Sequence, residues 1–263
     1  HPLQGRPGAP GAGLHLSDPS APTPGGVAGS FAAALVRDDW TAVAAKLAPD
    51  ATWTIAGEAP VHGRDDITDR LREYVRKGSA PRLDGPLRVT RGTEVAWPSR
   101  ERARFSNETG DAARVDIVDV GADGLVRGWA TLLTGSPTTG GTQARAAALL
   151  AYVERVGRAD AEAALELFAD DCSVEDPVGT QVHRGRAAVE AFYRRGVGAI
   201  TRTTLLGPPV VASEGPGAIA FRVDLQLPDR AIALEVIDVM GFDAAGRFTS
   251  MRAFWGRDNR LLP

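Results

Sequence analysis

The stretch Ala231 to Phe242, A-I-A-L-E-V-I-D-V-M-G-F, alternates like a strand and places one acid among apolar neighbours. With a side-chain period of two, Ile232, Leu234, Val236, Asp238, Met240 and Phe242 share one face, and Ala233, Glu235, Ile237 and Val239 share the other. An unpaired ionised carboxylate is costly to bury. Asp238 therefore either stays neutral, which makes it a hydrogen-bond donor, or satisfies a buried backbone group. The strand alone leaves both roles open.

Elsewhere the pattern predicts helices followed by strands, twice over. It is helical from Ser30 to Leu35. Asp38 or Asp39 then caps a helix that turns Trp40, Val43, Ala44 and Leu47 to one side, and a third helix runs from Asp65 to Arg76. Strand-like pieces follow at 87–90, 93–97, 101–106, 113–120 and 125–133. The run T-G-S-P-T-T-G-G at 134–141 is a linker by composition. Beyond it, Thr142 caps a helix carrying Leu149, Tyr152, Val153 and Val156 at i, i+3, i+4 and i+7, which aims Tyr152 inward. Helices over 160–168 and 186–195 come next, then strands at 202–206, 210–213, 218–227, 231–242 and 248–256.

The second half repeats the first. V-R-D-D-W-T-A-V-A-A-K-L-A-P-D-A at 36–51 answers G-R-A-D-A-E-A-A-L-E-L-F-A-D-D-C at 157–172, an offset of 121. Farther on, the offset becomes 122 and pairs Gly85-Pro86 with Gly207-Pro208 and Asp116 with Asp238. Helices ahead of antiparallel strands give an α+β class. The expected architecture is two tandem cone-shaped domains, each a curved mixed or antiparallel sheet wrapped over about three helices around an apolar interior. The expected boundaries are a proline- and glycine-rich disordered tail at 1–26, a first domain at 27–134, a linker at 135–141 and a second domain at 142–263.

Composition narrows the function. A net charge of -3 leaves no basic footprint for nucleic acid, and no apolar run is long enough to span a bilayer. The N-terminal stretch lacks a signal-peptide pattern, so a cytoplasmic location is expected. Cys172 is the only cysteine, and His1, His15, His62 and His183 lack ligand spacing. The chemistry expected is free of metal and cofactor. In V-E-D-P-V-G at 174–179, Pro177 biases Asp176 toward an extended backbone, so Val174, Asp176 and Val178 share a face; alternatively, Asp176 and Pro177 simply start a turn.

An inward tyrosine, an acid at a strand end and an acid inside an apolar strand together resemble the steroid delta-isomerase (ketosteroid isomerase) family of the nuclear-transport-factor-two-like cones. The resemblance runs from about Arg145 to Asn259. It rests on A-Y-V-E-R-V, F-A-D-D-C-S-V-E-D-P-V-G, G-R-A-A-V-E-A-F-Y-R, A-I-A-F-R-V, I-A-L-E-V-I-D-V-M-G-F-D-A-A-G-R and M-R-A-F-W. It implies Asp176 as general base, and Tyr152 with a protonated Asp238 as oxyanion donors; that family is the established case of a carboxylic acid kept neutral for this purpose. It also implies Tyr193 as support for Tyr152, although a plain core aromatic beside Phe192 reads equally well. Val178, Phe221, Leu234, Met240 and Trp255 would line a slot for a hydrophobic small molecule. The reaction implied is movement of a double bond in a 3-oxo-Δ5 steroid or similar enolisable ketone.

The first copy departs from this pattern, with Phe31 in place of Tyr152 and Ile55 in place of Asp176. It reads as a degenerate scaffold packed against the second copy as an intramolecular pseudo-dimer. The same cones also host polyketide epoxide hydrolases, often as two-copy chains, and non-catalytic binding modules. Polyether-type epoxide hydrolases carry a second acid after the third helix, where this chain reads T-R-T-T at 201–204.

Overall fold

A computed structural model describes residues 22–79, 81–105, 108–134, 140–212 and 214–261. Thr23 accepts a hydrogen bond from the Gly26 N–H, and Pro24 occupies the first turn. Helix α1 (Pro24–Val36) therefore starts ahead of Ser30 and takes in residues expected in the tail. Residues 1–21 and 135–139, which carry the rest of that expected tail and most of the expected linker, lie outside the described residues. Asp39 caps α2 (Trp40–Lys46) through the Ala42 N–H at 3.0 Å, and α3 is Arg64–Arg76.

The first sheet holds β1 (Leu47–Ile55), β2 (Val61–His62), β3 (Arg82–Leu83), β4 (Arg88–Val89), β5 (Glu94–Phe105), β6 (Glu108–Val120) and β7 (Val126–Leu133). Two expectations change here. Strand β1 was not foreseen, because exposed Pro49 and Asp50 interrupt its apolar alternation. The pieces at 93–97 and 101–106 are one strand, β5; Pro98, which has no N–H to give, sits between the stretch of β5 paired with β4 and the stretch paired with β3.

The second half holds α4 (Gly140–Gly157), which begins inside the expected linker, the short α5 (Ala161–Leu165), which ends sooner than expected because β8 begins at Phe168, and α6 (Arg186–Gly196). Its sheet comprises β8 (Phe168–Glu175), β9 (Val182–Arg184), β10 (Ile200–Leu205), β11 (Val210–Val211), β12 (Gly217–Gln226), β13 (Ala231–Phe242), β14 (Phe248–Phe254) and β15 (Arg260–Leu261).

The two sheets share one topology. The first runs β2-β1-β7-β6-β5-β3 and the second β9-β8-β14-β13-β12-β10, each with one parallel pair, β1 with β7 and β8 with β14. Register makes the repeat concrete: Asp116 lies opposite Trp97 and Thr131, and Asp238 lies opposite Ile219 and Ala253, all 122 residues farther on. The chain is thus two tandem α+β cones.

Each sheet buries its concave side against its own helices. The opposite sides meet. Ala96, Val115 and Ile117 of the first sheet belong to one buried cluster with Ala218, Ile237 and Phe254 of the second. The alternation read in β13 is the reason: Leu234, Val236 and Met240 go to the interior core, and Ile237 and Val239 go to the contact between sheets. Among the described residues no helix is long and apolar enough to cross a membrane.

Candidate active site

Inside the second cone lies a cavity of about 290 Å³. Its walls are apolar, with Phe221 and Val223 from β12, Leu234 and Val236 from β13, and Met251 and Ala253 from β14. The polar side chains lining it are Tyr152, Tyr193, Asp176 and Asp238, all gathered in one space as the sequence predicted. Phe192, Val197 and Ile200 also line it, of which Phe192 was expected only as a core residue; the T-R-T-T segment that follows offers no carboxylate.

Helix α4 delivers Tyr152 and α6 delivers Tyr193, and both rings are buried. Tyr193 donates its hydroxyl proton to the Tyr152 oxygen at 3.0 Å. The Tyr152 proton is thereby left to point elsewhere, which suits a donor to a ligand oxygen. Phe168, Phe221 and Phe248 surround Tyr152 edge-on, fixing the ring by packing. Burial pushes both phenols well above their usual range, so each is a neutral donor at neutral pH.

Asp238 is 3 % exposed. Burial pushes its carboxyl well above the usual carboxylate range; the Asp176 charge adds to the shift and the Tyr152 hydroxyl opposes part of it. The group is thus biased to the protonated form, which can donate a hydrogen bond into the cavity. Asp176 follows directly on β8, and its peptide bond to Pro177 is cis. The Trp255 indole N–H donates to its Oδ1 at 2.6 Å. Burial raises the Asp176 carboxyl, while Trp255 and the nearby His183 hold it down, so it ionises more readily than Asp238. Two acids share one apolar space with their pKa values pushed apart, the arrangement that separates a base from a donor.

Phe221, Leu234 and Trp255 line the cavity as expected, and two predicted residues do not. Val178 turns into the cluster between the sheets, with its N–H bonded to the Ala253 carbonyl and its own carbonyl accepting from the Arg91 N–H of the first cone. Met240 sits two residues beyond Asp238, roughly 7 Å farther along the strand, and is fully buried in the interior core. The Trp255 bond to Asp176 joins residues 79 apart and had no local sequence signal.

The first cone is filled where the second is hollow. At the repeat offset, Phe221, Val223, Val236 and Ala253 become Ser99, Glu101, Arg114 and Thr131. Arg114 donates to both Asp116 oxygens, at 2.8 and 2.6 Å, and to Glu101 at 2.9 Å, while Ser99, Trp129 and Thr131 complete the shell of Asp116. Trp53 stacks on Trp129 with ring centres 4.3 Å apart. Asp116 stands where the repeat predicts, whereas Glu101 and Arg114 were not predicted; the signal for them is Arg114 two residues before Asp116, on the same strand face.

A family model described as a SnoaL-like domain matches residues 149–251. Steroid delta-isomerase of Nocardioides simplex is 46 % identical over 116 residues, which is 44 % of this chain and 93 % of that relative. Epoxide hydrolase LasB of Streptomyces lasalocidi is 27 % identical over 232 residues, 76 % of this chain and 82 % of that relative. A solved structure, reported for the role of the epoxide hydrolase/cyclase-like enzyme SalBIII in pyran ring formation in polyether salinomycin, matches with 27 % identity and a TM-score of 0.43, covering 46 % of this chain and 97 % of that one. With identity at that level over nearly the whole length of the Nocardioides isomerase, the chain belongs, through its second cone, to the SnoaL-like (nuclear-transport-factor-two-like) family that includes steroid delta-isomerases.

Proposed function

We propose that the second cone is a cofactor-independent isomerase that moves a double bond in a 3-oxo-Δ5 steroid or a similar enolisable ketone. The observation that carries this reading is the pairing inside one apolar cavity of two buried acids raised unequally, Asp176 less than Asp238, beside the Tyr152 phenol. The kinship with a steroid delta-isomerase supports it. Asp176 takes the C4 proton; Tyr152 and protonated Asp238 donate to the dienolate oxygen; the proton then returns at C6. A positioned base contributes ~10²–10⁴-fold and each fixed oxyanion donor ~10²–10³-fold, so three side chains supply a large acceleration. The first cone has filled its own cavity and serves as a fused partner of the second.

The likeness to an epoxide hydrolase spans both cones, which favours one second reading, the opening of a polyketide epoxide. There Asp238 would protonate the epoxide oxygen and Asp176 would activate the nucleophile. The two readings separate in one experiment. Purified protein is mixed with 5-androstene-3,17-dione and the rise in conjugated-enone absorbance is followed for the parent, Asp176→Asn and Tyr152→Phe. Rapid conjugation that both substitutions suppress supports the isomerase. No conjugation by the parent removes that substrate and turns attention to epoxide opening.

A further inference from the structure

The stretch from Leu87 to Glu94 in the first cone meets the second cone at the segments that carry the candidate base and its indole partner. The Arg91 N–H donates to the Val178 carbonyl, two residues past Asp176. Gly92 packs on Gly179 so closely that a Cβ on Gly179 would lie 2.2 Å from the Gly92 nitrogen. On the other side of the base, Trp255 is followed by Gly256, whose imagined Cβ would meet the Val89 carbonyl oxygen at 1.9 Å. Asn259 ties this turn down, accepting from the Gly256 N–H at 3.0 Å and donating to the Leu87 carbonyl at 2.8 Å.

A chain of polar contacts closes the loop. Glu94 forms a two-pronged ion pair with Arg252; Arg252 donates through Nε to Glu175 at 3.0 Å; and Glu175 accepts from the Gly179 N–H at 2.9 Å. The chain thus starts in the first cone and spans Asp176 from the residue before it to the third residue after it. Arg252 lies three residues before Trp255, so both ends of the Trp255–Asp176 hydrogen bond stand on backbone held by this stretch. An exposed ion pair would add little, but Arg252 is only partly exposed, stacks on Phe254, and meets its partners in fork geometry.

We infer that Glu94, through Arg252 and Glu175, is a positioning residue for the base Asp176, so that the degenerate cone sets the catalytic geometry of the active one. This rests on the isomerase reading for its kinetic consequence but not for its structural one. Displacing a reacting group by about 1 Å costs on the order of 10²-fold in rate, and the groups that recognise the ketone oxygen are carried by α4 and β13, neither of which supplies a side chain to this chain of contacts, although β13 pairs with the strand of Arg252.

The test compares the parent with Glu94→Ala, Glu94→Gln and Gly92→Ala in the full chain. Glu94→Ala is expected to lower kcat by ~10- to 100-fold with KM little changed, and Glu94→Gln, which keeps the side-chain length and one acceptor oxygen but sets an NH2 group against an Arg252 N–H, recovers only part of the loss. Gly92→Ala removes no polar contact; its Cβ would lie 3.3 Å from the Gly179 Cα and press on the base loop, so it gives a smaller loss in the same direction. The readout that needs no turnover is the indole N–H resonance of Trp255 in the proton–nitrogen NMR spectrum. In Glu94→Ala it should move upfield and broaden, while those of Trp53 and Trp129, bonded to Thr131 and Asp116 in the first cone, hold still. If the Trp255 resonance and kcat both stay at parent values in Glu94→Ala and Gly92→Ala, the inference is overturned. If the parent fails to isomerise the steroid, the isomerase reading falls, and the Trp255 resonance alone still decides the positioning role.

Discussion

The Tyr193 proton is already committed to Tyr152, so the two tyrosines should differ in what their loss does. On the proposed mechanism Tyr152→Phe removes a donor to the oxyanion and is expected to lower kcat by ~10²–10³-fold. Tyr193→Phe removes only the group that orients that donor, and its loss should be markedly smaller. Steady-state kinetics on the two variants checks the order. Asp238 makes a second contrast. Asp238→Leu abolishes the donor, whereas Asp238→Asn keeps an N–H and should retain more activity. The same residue acts on stability. Its carboxyl is raised well above the usual range in the fold, so its contribution is full below the ordinary carboxylate pKa and is lost as pH rises toward the raised value. Asp238→Asn has no proton to lose there, and its Tm relative to the parent should climb between acid and neutral pH. If Asp176 is the base, as proposed, its ionised form is the active one, and kcat/KM should rise with pH through a midpoint above the usual carboxylate value. Trp255 stabilises the ionised form, and Trp255→Phe should therefore move that acid limb to higher pH.

At the scale of elements, equivalent strands have diverged by trading a cavity for an ion network. Arg114 is fully buried between Asp116 and Glu101, with Tyr74 also donating to Glu101 at 3.0 Å. Arg114→Met would leave two carboxyl groups buried without their cation and should cost about 3–5 kcal/mol. Urea unfolding measures this, and adding Asp116→Leu to Arg114→Met should recover part of the loss, because one carboxylate no longer lies unpaired. This network also marks what a sequence gives away. Strand β13 was legible in detail because each of its faces meets a different apolar surface, which enforces strict alternation. Tyr152 was legible because α4 is apolar at i, i+3 and i+4. Strand β1 was hidden, since exposed Pro49 and Asp50 break its alternation where its pairing with β7 shifts register. Val178 was misplaced because alternation alone could not tell the interior of the cone from the contact between sheets, both being apolar. The bonds from Trp255 to Asp176 and from Arg252 to Glu94 join residues 79 and 158 apart, and only the assembled sheets bring them together.

For the molecule as a whole, the apolar convex faces decide how the two cones behave as a unit. Ile237 and Phe254 are fully buried and Val239 is 8 % exposed, although all three point away from the interior of their own cone. A cone on its own would present this patch to water, and large exposed apolar patches mark contact surfaces. Arg88 also crosses the join: it is buried, reaches Glu235 of β13 at 3.1 Å, and would lose that partner if the cones parted. The parent should therefore unfold in one calorimetric transition, because neither cone keeps its stability once the shared cluster opens. Ile237→Asp places a charge in that cluster without touching the cavity face of β13. A charge buried there without a partner costs several kcal/mol unless the faces separate and admit water. The expected outcome is a lower first transition and the appearance of a second, as each cone unfolds by itself. A single transition in Ile237→Asp, shifted but not split, would mean that the contacts of the Leu87–Glu94 stretch alone couple the cones. Glu94→Ala added to Ile237→Asp should then be what divides it.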